Sequence, residues 1–201
     1  MKCRGTESRQ RIVKNYNIHP VAHVKLLNGQ TKLSCTSDTL TDSYYCFDYV
    51  ARSNPSDRGT FYCGSHAADD FLKLTQLSPL PLFNPLVTSG EGGGGSGGSS
   101  SKKWDPLAKQ LNNAINMLVV CWDIVPGGVL ANIQAQLIQY PNSTPFLSKL
   151  KAVNTIIGYD KSGRTLQQMI EGLREKNNVR NFQFHLINRE LESEDIPSNF
   201  G

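Results

Sequence analysis

Residues 89–103 contain more glycine and serine than a fold can bury. The run Ser89-Gly90-Glu91-Gly92-Gly93-Gly94-Gly95-Ser96-Gly97-Gly98-Ser99-Ser100-Ser101 offers no apolar side chain to a core. A chain of 201 residues interrupted in this way reads as two small globular segments, residues 1–88 and 104–201, flanking a Gly/Ser linker. The unbroken Gly92 to Gly95 run closed by Ser96 has the look of an engineered connector.

Charge narrows the function classes without choosing among them. The net charge of +4 is spread evenly: ten basic residues face seven acidic ones in 1–88, and eleven face nine in 102–201. Neither segment has the excess of a protein that must cling to phosphate, so nucleic-acid contact is permitted and not required. The densest positive run is Lys2, Arg4, Arg9, Arg11 and Lys14 against Glu7. It is a candidate to lie along a phosphate backbone, or else forms a short solvated surface helix. The N-terminus lacks the apolar core of a signal peptide, and no apolar run has the length of a bilayer span. A cytoplasmic protein without a membrane partner is the expectation. Five cysteines in such a chain fit metal binding plus a free thiol better than a disulfide framework.

The chemistry concentrates at Gly59 to Leu72. Thr60, Phe61 and Tyr62 favour a strand, whereas Ala67, Ala68, Phe71 and Leu72 recur at helical spacing. The period changes at Cys63-Gly64-Ser65-His66. A helix starting there puts Cys63 and His66 on one face, a thiolate and an imidazole of the kind zinc takes in a closed tetrahedron. Upstream thiols Cys46, Cys35 and Cys3 are available to complete the set. Tyr44 to Val50 reads as a strand, Ser53 to Gly59 as a loop and Thr60 to Cys63 as the returning strand. An earlier hairpin is expected around Asn28-Gly29, between Val21–Leu27 and Thr31–Cys35.

Hairpin followed by a helix bearing Cys63 and His66 resembles the treble-clef class of zinc fingers over about residues 35–75. The resemblance implies a zinc site of Cys35, Cys46, Cys63 and His66. The chain departs from that class in having no Cys-x-x-Cys knuckle, since ten residues separate Cys35 from Cys46, and Cys3 or His23 can stand in for Cys35.

Strand alternation sends Tyr45, Phe47 and Tyr49 to one face and Tyr44, Cys46, Asp48 and Val50 to the other. With the cysteine face turned to metal and helix, the ring face needs its own cover: the first hairpin, the second segment or stacked bases. Ser78 to Leu86, punctuated by proline, is expected to be extended and either to pack across the domain surface or to serve as a recognition strand. Beyond the linker the chain is helical. Asp105-Pro106 starts a helix whose Leu107, Leu111, Ala114, Ile115 and Leu118 face inward. Residues 129–138 form a second, Thr144-Pro145 opens a third containing Phe146, and Thr165 with Gln168 makes a capping box for a fourth. Val179 to Leu191 carries both periods, and its neighbours favour helix.

No phosphate-binding Gly-rich loop, His-Glu-x-x-His or Gly-x-Ser-x-Gly motif is present in the sequence. The expected architecture is α+β: a small zinc-stabilised hairpin and helix domain followed by an antiparallel helical bundle, the two halves in contact. The expected function is a non-enzymatic zinc-stabilised adaptor binding protein or nucleic acid through Lys2, Arg4, Arg9, Arg11 and Lys14 and through Tyr45, Phe47 and Tyr49. The alternatives are a transferase or hydrolase using Cys63 as nucleophile with His66, or a metal-dependent nuclease involving Asp69 and Asp70.

Overall fold

The computed structural model describes residues 1–87 and 103–201; the Gly/Ser run lies outside the described residues. Among them the fold is mixed α and β, with seven helices and a small antiparallel sheet. It divides into two units, Met1–Asn84 and Pro85–Gly201. The division precedes the Gly/Ser run: Arg180 N–H donates to the Pro85 carbonyl, Val87 N–H to that of Asn178, and Leu86 bridges Val179. Residues on both sides of the run therefore belong to the second unit, and the expected boundary between domains at residues 89–103 moves to Asn84.

The first unit is built on a three-stranded antiparallel sheet in the order β1 (Tyr16–Lys25), β4 (Ser43–Ala51), β5 (Arg58–Cys63). The expected hairpin at Asn28-Gly29 does not form. β1 pairs instead with β4 over nearly its whole length. The segment between them makes a separate two-residue ladder of β2 (Lys32–Leu33) with β3 (Thr39–Leu40). A turn signal is local, whereas Tyr16 to Lys25 finds a longer and more apolar partner in Ser43 to Ala51. The hairpin of β4 and β5 forms as expected, and Cys63 runs through Gly64 into α2 (Ser65–Thr75).

Register decides which side of the sheet is the core. Cys63 pairs with Tyr45 and Phe61 with Phe47, so these four share a face. That face carries α2 and α1 (Thr6–Asn15). Phe47 is fully buried, with ring centroids 5.5 Å from Phe61 and 5.6 Å from Phe71 of α2. Ile12 of α1 and Ile18 of β1 join the same cluster. The ring face, not the Cys46 face, is the one the helices cover. Phe83 lies parallel to β1, its N–H donating to the His23 carbonyl and its own carbonyl accepting from Lys25 N–H.

In the second unit α3 (Pro106–Trp122) touches α4 (Gly128–Gln139), α5 (Leu147–Ile157), α6 (Leu166–Arg174) and α7 (His185–Glu192). Asp105 caps α3 by accepting from Ala108 N–H, with Pro106 in the first turn. Leu111, Ala114, Ile115 and Leu118 are fully buried. Thr165 and Gln168 form the capping box of α6. Phe146 departs from expectation: it is the N-cap of α5 and stands exposed. Val179 to Leu191 splits in two, an extended stretch burying Phe182 and Phe184 and then α7.

Candidate functional site

Three cysteines of the first unit meet on the core side of its sheet. Cys3 and Cys35 are joined as a disulfide, their Cα atoms 5.3 Å apart. Cys3 N–H donates to the Cys35 carbonyl at 2.9 Å, and Cys35 N–H donates to the Tyr62 carbonyl at 2.7 Å. This ladder sets the pair beside the end of β5, where Cys63 is the next residue. All three are buried and belong to one cluster with Phe47, Phe61 and Phe71.

Arg9 enters the same region from α1, because the three-residue spacing from Ile12 puts both on the inward side of the helix. Its side chain is only 6% exposed and sits 2.6 Å from the Asp70 carboxylate of α2. One terminal nitrogen donates to the Cys3 carbonyl at 3.1 Å, while the buried Nε has no acceptor among the described residues. Burial pushes the Cys63 thiol up to about 12, and the positive charge of Arg9 works in the opposite direction.

The ligands implied by the zinc-finger resemblance are not brought together. Cys35 is bonded to Cys3, so the expectation of metal ligation in place of disulfides is corrected for that pair. Cys46 pairs with Tyr62 and points to the face opposite Cys63, because adjacent strand positions alternate. His66 is exposed in the first turn of α2. His23 faces the Leu80 carbonyl at 3.0 Å and stacks on Tyr45. Among the described residues, no three His, Cys, Asp or Glu side chains are grouped to hold a metal ion as the fold stands. A zinc site of Cys35, Cys46, Cys63 and His66 does not fit this fold.

The catalytic alternatives fare no better. A nucleophilic cysteine needs an accessible thiolate, whereas Cys63 is fully buried with its thiol pushed up to about 12. Asp70, one of the nuclease candidates, is committed to Arg9. Tyr45 and Phe47 are core residues, so those two rings are closed to stacked bases, while Tyr49 is half-buried and packs on Tyr16 and Phe61.

The five cations of the N-terminal run take different roles. Arg9 is buried, and exposed Arg4 pairs with Asp38 at 2.8 Å. Lys2, Arg11 and Lys14 are exposed, and among the described residues none of them forms an ion pair. Exposed Arg52 lies at the C-terminal end of α1, where Arg11 and Lys14 also sit, its N–H donating to the Asn15 carbonyl and its guanidinium to that of Val13. Sequence spacing singled out the run but not Arg52, which reaches it only through the pairing of β1 with β4.

One family model, described as Uncharacterised conserved protein UCP028583, matches residues 1–200. The chain belongs to that family. The match takes in both units, so the UCP028583 architecture includes the three-stranded sheet and the helices around α3 alike. No curated protein and no solved structure matches the chain. Among the described residues no helix is long and apolar enough to cross a membrane.

Proposed function

We propose that this protein is a non-enzymatic adaptor that engages the phosphate backbone of nucleic acid through exposed Lys2, through Arg11 and Lys14 of α1, and through Arg52. The observation that carries the reading is the set of Lys2, Arg11 and Lys14, solvent-facing and without ion pairs among the described residues, with Arg52 held against the same helix end. Cations without protein partners are free to displace counterions from phosphate. The burial of Tyr45 and Phe47 removes base stacking from the mode of binding. What remains is backbone contact, indifferent to sequence and sensitive to salt.

The test is a fluorescence-polarisation titration of the full chain against labelled single- and double-stranded oligonucleotides at several salt concentrations. With about four phosphate contacts, log K should fall against log salt with a slope of roughly −3 to −4 on duplex. The variant K2A/R11A/K14A should reduce that slope by about 3. Absence of binding at low ionic strength, or binding that the triple variant leaves intact, rejects the reading.

A further inference from the structure

We infer that the cavity beside the first turns of α6 and α7 binds a uracil-type base, recognised by the imide edge on which one N–H stands between two carbonyl oxygens. The site lies wholly in the second unit. It does not depend on what the cations of the first unit bind.

The cavity has a volume of about 230 Å³. That is the bulk of roughly seven or eight waters, below the range of ~300–1,000 Å³ that takes drug-sized ligands, so a single heterocycle is the scale of occupant it admits. Its polar wall comes from Gln167 of α6, Asn181 and Gln183 of the extended stretch, and His185 and Asn188 of α7. Buried Phe182 and Phe184 add apolar surface. Among the described residues no Asp, Glu, Lys or Arg lines it, and an uncharged polar molecule is the natural complement. Asn181, Gln183 and His185 are exposed, which leaves the cavity open to a ligand from solvent.

The tautomer of His185 is set by its neighbours. The Leu186 N–H can only donate, and it lies 3.0 Å from one end of the Gln110 amide, so that end is the oxygen. The other end is therefore the NH₂ group, 3.3 Å from His185 Nδ1. Nδ1 accepts, and the ring proton sits on Nε2. Gln110 belongs to α3 and is itself buried, so the ring is oriented from the core.

The same accounting fixes the amides. The Arg174 guanidinium, a donor only, lies 3.5 Å from one end of Asn181, which is thus Oδ1, and Nδ2 is left over. The Glu171 carboxylate lies 3.3 Å from one end of Gln167, which is thus Nε2, and Oε1 is left over. Asn188 is spent at both ends, on the Ser198 hydroxyl and the Gly201 carbonyl. Three groups of fixed role remain without a partner among the described residues: donors at His185 Nε2 and Asn181 Nδ2, and an acceptor at Gln167 Oε1. The Gln183 amide can turn to serve as either.

Two donors and one acceptor complement a ligand edge of two acceptors and one donor. Uracil presents that set along its pairing edge as O4, N3–H and O2. Cytosine carries a donor and two acceptors in the order N4–H, N3, O2, which mismatches the first two positions. Guanine matches at O6 and N1–H but adds a second donor at N2 and a second ring. A wrong base leaves polar groups of the site unpaired, and discrimination of this kind rests on that cost.

The experiment titrates uridine into the isotope-labelled full chain, followed by proton–nitrogen correlation spectra. Saturable shifts are expected at Gln167, Asn181, Gln183, His185 and Asn188, with a dissociation constant of roughly 1 mM or tighter. N3-methyluridine, which lacks the donor, and cytidine should each bind roughly tenfold more weakly. Asn181→Asp and His185→Ala, both at exposed positions, should weaken uridine by a similar factor and leave the rest of the spectrum in place. A second readout needs no ligand: long-range imidazole spectra should show the His185 proton on Nε2. Gln110→Glu keeps an oxygen for the Leu186 N–H but offers Nδ1 an acceptor, and should put a proton on Nδ1. The proposal is overturned by the absence of saturable shifts up to about 10 mM uridine, by equal binding of N3-methyluridine, by shifts confined to the first unit, or by a wild-type His185 that carries its proton on Nδ1.

Discussion

The His23 ring stacks on Tyr45 with centroids 3.8 Å apart and planes 16° from parallel, and both side chains meet the same Leu80 carbonyl. The Tyr45 hydroxyl donates to it at 3.2 Å and His23 Nδ1 lies 3.0 Å from it. Two rings of the sheet thereby hold the extended segment that follows α2. Burial lowers the His23 pKa from its ordinary value, with the Leu80 bond and the Asp69 charge opposing that shift. A histidine kept neutral by the fold contributes stability above its unfolded value, about 6.5, and that contribution is lost as pH falls below it toward the folded value. Thermal melts followed by tyrosine near-UV circular dichroism should show the first unit losing stability between pH 7 and pH 5. His23→Gln should flatten that dependence. An equal pH dependence in the variant would assign the effect elsewhere.

The pairing of Arg9 with Asp70 should be costly to break from one side. Removing the carboxylate leaves a buried cation bound only to the Cys3 carbonyl. Asp70→Ala is therefore expected to cost roughly 2–3 kcal/mol, below the range for a fully enclosed pair because Asp70 is a quarter exposed. R9M/D70N, which removes both charges and nearly keeps the volume, should cost less than the single change. Urea melts of the oxidised protein decide it, and a double variant less stable than Asp70→Ala would show that the charges stabilise in their own right.

Phe47 separates a core role from a binding role. It contacts Tyr45, Phe61 and Phe71 at ring distances of 6.0, 5.5 and 5.6 Å and is fully buried. Phe47→Ala should cost about 3–5 kcal/mol. Oligonucleotide affinity of whatever fraction remains folded should be unchanged, since the ring faces no ligand. A stable variant with weakened binding would return the ring face to the interface.

What could be read in advance divides along the range of the interactions. Caps are local, and Asp105-Pro106 and Thr165 with Gln168 announced α3 and α6 correctly. The change of period at Cys63 likewise located the junction of β5 and α2. The alternation of Tyr45, Phe47 and Tyr49 was legible, but not the side the helices would cover. That side depends on Cys63 standing opposite Tyr45, and a shift of one residue would have put Cys63 beside Cys46. The partnership of Cys3 with Cys35 spans 32 residues and follows from backbone pairing that no short motif encodes. Asn28-Gly29 misled for the same reason, because a local turn preference yielded to the long register of β1 on β4. Cation spacing picked out the run from Lys2 to Lys14, yet only packing showed that Arg9 turns inward.

In the second unit Asp160 ties the connection between α5 and α6 to α3. Its carboxylate accepts from Trp122 Nε1 at 3.1 Å, from the Arg164 guanidinium at 3.0 and 3.1 Å, and from the backbone N–H groups of Ser162 and Arg164. Only 4% of the side chain is exposed. The Arg164 side chain, then its backbone N–H, holds the carboxyl well below the usual carboxylate range. A depressed folded pKa means that the stabilisation is complete above the unfolded value near 3.9 and is lost as pH falls from there through the folded value. Asp160→Asn should therefore lower the melting temperature at neutral pH and shift the Trp122 fluorescence as the indole loses its charged acceptor. The gap between wild type and variant should hold from pH 8 to pH 5 and narrow below about pH 4. Fluorescence-detected melts across that range test both halves of the expectation. A gap that is absent at pH 7, or that widens in acid, would remove Asp160 from the forces holding α5, α6 and α3 together.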